Sequence, residues 1–132
     1  MNQALIEAAI SARQNAYAPY SAYSVGAAVL DSAGNMWTGC NVENVSYGLS
    51  VCAERSAVCK MVSEGQRELR AIAVATRDGG TPCGMCLQTL LEFAPDPHSV
   101  EVLTISESGN AIRYQLSELI PHGFNSSELK RT

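Results

Sequence analysis

A chain of 132 residues, 46% hydrophobic and 17% charged, has the composition of one globular domain over 1–132 and excludes a disordered or fibrous protein. A net charge of −4 argues against a nucleic-acid polymer or an anionic membrane as partner. Five cysteines cannot all pair, and a domain of this size needs no disulfide staples, so a reducing, cytoplasmic setting is expected. The N-terminus lacks the basic-then-apolar pattern of a signal peptide, and the apolar runs are too short to span a bilayer.

Residues 2–16 place Leu5, Ala8, Ala9, Ala12 and Ala16 on one helical face. Pro19 breaks that pattern, because proline lacks an amide hydrogen. Residues 24–30 alternate through Val25, Ala27 and Val29 as a strand, and Met36–Cys40 returns after the turn residues 31–35. Residues 41–51 read as irregular, and 52–64 as a helix ended by Gly65. Leu69–Ala75 is a nearly continuous apolar run, as in a strand covered on both faces. A loop over 77–82, a helix over 83–93, strands over 100–105 and 112–115, and a helical turn at 117–119 complete the chain. The order α-β-β-α-β-α-β-β implies an α/β fold, a three-layer α/β/α sandwich around one mixed sheet.

Two helix starts carry the chemistry: Cys52-Ala53-Glu54-Arg55 and Pro82-Cys83-Gly84-Met85-Cys86. A lone Cys-x-x-Cys is ambiguous between a redox dithiol, half of a structural zinc site and two buried thiols. A redox pair, however, leaves Cys52-x-Glu54 unexplained. Together the two segments read as three thiolates on zinc, with the fourth position left for water as in catalytic sites. Helix N-termini and Arg55 would offset the excess negative charge of three thiolates. Glu54, two residues from Cys52, would reach that water as a general acid and base without being a ligand. A fourth protein ligand, with Cys40 the candidate to check, would instead make the site a closed structural one. Cys40 and Cys59 otherwise read as small core residues, and His98 as a solvated loop histidine.

These segments, with Tyr17-Ala18-Pro19-Tyr20-Ser21, Val25-Gly26-Ala27-Ala28, Gly39-Cys40-Asn41-Val42-Glu43-Asn44 and Leu119-Ile120-Pro121, resemble the small, single-domain zinc-dependent cytidine deaminases over nearly the whole chain. The resemblance implies a five-stranded mixed sheet and one Zn²⁺ per chain held by Cys52, Cys83 and Cys86, with Glu54 as the proton shuttle. It places Asn41 and Glu43 at the ribose 3′-hydroxyl, Ala53 among the substrate contacts, and Tyr23 against the pyrimidine where the family usually has Phe. It also implies a homotetramer in which Tyr47 and Phe124 reach a neighbouring subunit's site. The activity implied is hydrolytic deamination of cytidine or deoxycytidine in pyrimidine salvage. The alternative is deamination of a modified aminopyrimidine nucleoside, such as an N4-substituted cytidine or a blasticidin-type antibiotic. One departure stands out: Leu87 follows Cys86 where the family usually has Arg, which removes a positive charge near the thiolates. A second is His122, where a small residue is more typical.

Overall fold

The computed structural model describes residues 1–126 and Leu129. Asn2 caps the first helix, α1 (Gln3–Arg13), its side-chain oxygen accepting from the Leu5 N–H at 3.1 Å. α1 ends three residues before the periodicity suggests, because Gln14–Ala16 close successive tight turns leading into the 17–23 loop. A hairpin follows, β1 (Gly26–Asp31) and β2 (Met36–Cys40), and then α2 (Ala53–Ser63), β3 (Leu69–Ala75) and α3 (Gly84–Glu92). β4 (Glu101–Ile105), β5 (Ala111–Gln115) and a single turn, α4 (Leu116–Leu119), complete the order. The expected irregular stretch 41–51 contains a 3-10 turn at Tyr47–Leu49 and isolated bridges from Val42 to Tyr17 and Val51.

The five strands form one mixed sheet in the order β2-β1-β3-β4-β5, parallel only between β3 and β4. α3 is therefore the crossover of a β-α-β unit, and its N-terminus sits just beyond the carboxyl end of β3. Strand alternation divides the core in two. On one face Ala28, Ala71, Ala73, Ala75, Leu103 and Ile105 meet Leu5, Ile6 and Ala9 of α1. On the other, Ala27, Val29, Ile72, Val74 and Val102 meet Ala53, Ala57, Val58 and Met61 of α2 and Leu87 and Leu90 of α3. The result is the expected three-layer sandwich.

Two glycines of the hairpin let the helices come close. A Cβ on Gly26 would lie 2.2 Å from the Ala9 carbonyl oxygen, and one on Gly39 would lie 2.5 Å from the Ala57 amide nitrogen. The latter contact seats α2 on the sheet and so sets the depth at which Cys52 and Glu54 enter the site. Trp37 packs against the α2/α3 core, its Nε1–H donating to Asp31 Oδ2 at 2.8 Å. Cys59 does not belong to the core: it falls on the outward side of α2 and is exposed. Cys40 is half-buried at the end of β2, its thiol facing the Asn15 carbonyl.

Candidate active site

Cys52 and Cys83 occupy the N-cap positions of α2 and α3, and Cys86 lies in the first turn of α3. The three sulfurs lie within 4.8 Å of one another, with Cys83 and Cys86 3.5 Å apart. Three thiolates around a tetrahedral zinc, each about 2.3 Å from it, sit at this kind of spacing, so the donor set and its geometry fit the metal. Among the described residues no fourth Cys, His, Asp or Glu joins the cluster. Cys40 is not part of it, which leaves the fourth position open as in a catalytic site.

The surroundings favour thiolate at Cys52. A hydrogen bond from Cys86, with help from the Arg55 guanidinium, holds the Cys52 thiol down at about 5. Donation to Cys52 and burial push Cys86 in the opposite direction. Arg55 Nη2 lies 3.6 Å from the Cys52 sulfur and 3.5 Å from the Ser50 carbonyl oxygen. Its Nε is buried without a hydrogen-bond partner among the described residues. Leu87 turns away from the sulfurs into the α2/α3 core, where it is 8% exposed.

Glu54, in the first turn of α2, is 5% exposed. Burial pushes its carboxyl up to about 7, and the neighbouring Cys52 adds to the rise. A carboxyl tuned near neutrality is suited to both taking and returning a proton.

Cys52, Cys83 and Glu54 open onto a cavity of about 310 Å³, at the small end of the range for small-molecule sites. Tyr23, Asn41, Glu43 and Ala53 line it too, so the structure brings these sequence-predicted residues to one place. Asn41 bridges the strand entry: its Oδ1 accepts from Val25 N–H at 2.9 Å and its Nδ2 donates to Tyr23 C=O at 2.8 Å. Glu43 accepts from the backbone N–H groups of Tyr20 and Ser21 and from the Ser21 hydroxyl. The Ser21 hydrogen bond holds its carboxyl below the ordinary range. Between Ser21 and Tyr23, Ala22 adopts φ +58°, a left-handed conformation uncommon outside glycine.

Tyr47 and Phe124 stand apart from this cavity, 79% and 56% exposed. Sequence reasoning missed Gln88, whose side-chain amide donates to the Phe124 carbonyl and accepts from the Phe124 N–H, gripping that backbone like a strand partner. It also missed Ser21, Thr76, Gly80 and Thr81 in the cavity wall. Ser21 lay in a segment that carries the family resemblance, whereas Gly80 and Thr81 lay in a stretch legible only as a loop. His98 and His122 are both exposed and outside the cavity.

The sequence pattern described as "Cytidine and deoxycytidylate deaminase zinc-binding region" matches residues 1–102. The chain is 43% identical over 129 residues to the cytidine deaminase of Halalkalibacterium halodurans, covering 96% of each protein. It is 43% identical over 125 residues to that of Mycobacterium tuberculosis, covering 93% of this chain and 89% of the relative. The crystal structure of the Burkholderia pseudomallei cytidine deaminase superposes with a TM-score of 0.87 at 41% identity, covering 94% of this chain and 99% of the other. With three cysteines set for zinc and a buried carboxyl beside them, the chain belongs to the zinc-dependent cytidine deaminase family.

Proposed function

We propose that the chain hydrolyses cytidine and deoxycytidine to uridine and deoxyuridine, releasing ammonia, as a step of pyrimidine salvage in the cytoplasm. The observation that carries this reading is the buried Glu54 carboxyl beside a three-sulfur cluster with no fourth protein donor. Zinc, when bound by Cys52, Cys83 and Cys86, supplies Lewis acidity that makes water a better nucleophile at neutral pH. Arg55, 3.6 Å from the Cys52 sulfur, favours the charged form of that ligand.

Glu54 accepts the proton of the water that attacks C4, delivers it to N3 of the pyrimidine, and assists protonation of the departing amine. Burial supports the role by holding the carboxyl out of bulk water beside the three sulfurs and raising its proton affinity above that of an exposed glutamate. The Tyr23 ring and Ala53 flank the base. Glu43, and the second N–H of the Asn41 amide, face the ribose 3′-hydroxyl. Both side chains are already fixed by the hydrogen bonds described above, so little conformational freedom remains to be lost on binding.

Tyr47 and Phe124, exposed on the single chain, complete the sites of neighbouring subunits in a homotetramer. Large aromatic side chains presented to solvent are the expected appearance of such groups in one protomer.

Glu54→Ala provides the test, because it removes the proton carrier and leaves all three sulfurs. The variant keeps one zinc per chain by atomic absorption, while uridine formation, followed by loss of cytidine absorbance, falls by at least about 10²–10⁴-fold. Turnover near that of the unsubstituted protein would refute the role.

A further inference from the structure

The cavity has two walls from distant parts of the chain: Ser21, Tyr23 and Val25 on one side, and Thr76, Gly80, Thr81 and Cys83 on the other. A side-chain hydrogen bond joins them. The Tyr23 hydroxyl donates to Asp78 Oδ1 at 2.6 Å, and the Arg77 guanidinium lies 5.3 Å from the centroid of the same ring. Two consecutive residues of the β3–α3 loop therefore grip Tyr23, one at its hydroxyl and one over its face.

The bond is built in at both ends. On the loop side, Asp78 Oδ1 also accepts from the Thr76 hydroxyl and the Gly80 N–H, and Thr76 Oγ1 accepts from the N–H groups of Gly79 and Gly80. On the other side, the Tyr23 N–H donates to Ser21 Oγ, whose hydroxyl donates to Glu43. Hydrogen bonds thus anchor Tyr23 at both ends, its backbone through Ser21 to Glu43 and its hydroxyl through Asp78 to Gly80, so the side chain spans the mouth and ends on a phenol oxygen that a plain aromatic wall would lack.

We propose that the Tyr23 hydroxyl is a positioning group: by holding Asp78 it fixes Gly80 and Thr81 opposite the ring and sets the width of the nucleoside slot. This rests on the nucleoside reading of the cavity. Uridine formation by the unsubstituted protein tests that reading alone, whereas the variants test the strut.

A double-mutant cycle on the full chain with cytidine decides the matter. Tyr23→Phe keeps the ring and removes the hydroxyl, and KM rises about five- to twentyfold, more than any fall in kcat. Asp78→Ala gives a similar rise, and the pair together no more than either alone. Asp78→Asn, which retains an acceptor oxygen, stays within about twofold of the unsubstituted KM. An unchanged KM in Tyr23→Phe, or effects of the two substitutions that multiply, would overturn the proposal. So would loss of zinc from Tyr23→Phe by atomic absorption, because the strut would then serve the metal ligand Cys83 rather than the slot.

Discussion

Asp31 shows how one side chain can organise a turn far from the chemistry. It is fully buried, and its carboxylate accepts from the N–H groups of Ala33 and Asn35 and from Trp37 Nε1. Burial alone would raise its pKa, but the hydrogen bonds from Trp37, Asn35 and Ala33 outweigh it and hold the carboxyl below its ordinary 3.8. A depressed folded-state pKa contributes stability that is present above the unfolded value and lost as pH falls through the folded one. Asp31→Asn turns an N–H towards the Trp37 donor or leaves that donor unmet, and should cost about 1–3 kcal/mol at neutral pH. Urea unfolding at neutral pH and again below pH 3.8 should show the two proteins converging in acid. At the zinc cluster, Leu87 belongs to packing, and Arg55 is the cation set against the sulfurs.

At the level of elements, most of the architecture was legible because each strand and helix has a strong periodicity of its own. Leu69–Ala75, apolar at nearly every position, could only be a central strand, and it lies between β1 and β4. The two cysteine segments were legible as helix starts, and Cys52 and Cys83 are the N-caps. What sequence could not show was side-chain closure between distant loops. Nothing local to Gln88 or Asp78 announces that one grips Phe124 and the other Tyr23, because those contacts exist only after the sheet has formed. Cys59 misled for a related reason: its residue type favours burial, but its position on α2 faces outward. The closest element contact gives a direct test of how the site is seated. In Gly39→Ala the new methyl group meets the Ala57 amide and, at 2.8 Å, the Ala53 carbonyl oxygen, both backbone atoms that cannot swing aside. Overpacking of this kind should cost about 1–3 kcal/mol and displace Cys52 and Glu54 together. Lower urea stability accompanied by weaker zinc retention would be its signature.

For the whole molecule, the apolar residues left in solvent are informative. Val45, Tyr47 and Leu49 lie close together along one loop at 76%, 79% and 65% exposure. A run of this kind is the expected surface for burial between copies of the chain. Sedimentation velocity should give four times the chain mass, and Tyr47→Ser should lower both that mass and the turnover per chain. A fully active monomer would remove the shared-site reading. The metal also bears on how the chain holds together. Cys52 and Cys83 are about thirty residues apart, separated by α2, β3 and the loop that follows. An ion bound to both acts as a clasp on the unfolded polypeptide as well as a reagent. Loop-closure entropy alone assigns such a clasp about 4 kcal/mol, by analogy with a disulfide across a segment of that length. Chelation should therefore lower Tm by several degrees as well as stop catalysis, and added zinc should raise Tm in step with its concentration. The atoms that hold the reagent would then also set the temperature at which the fold comes apart.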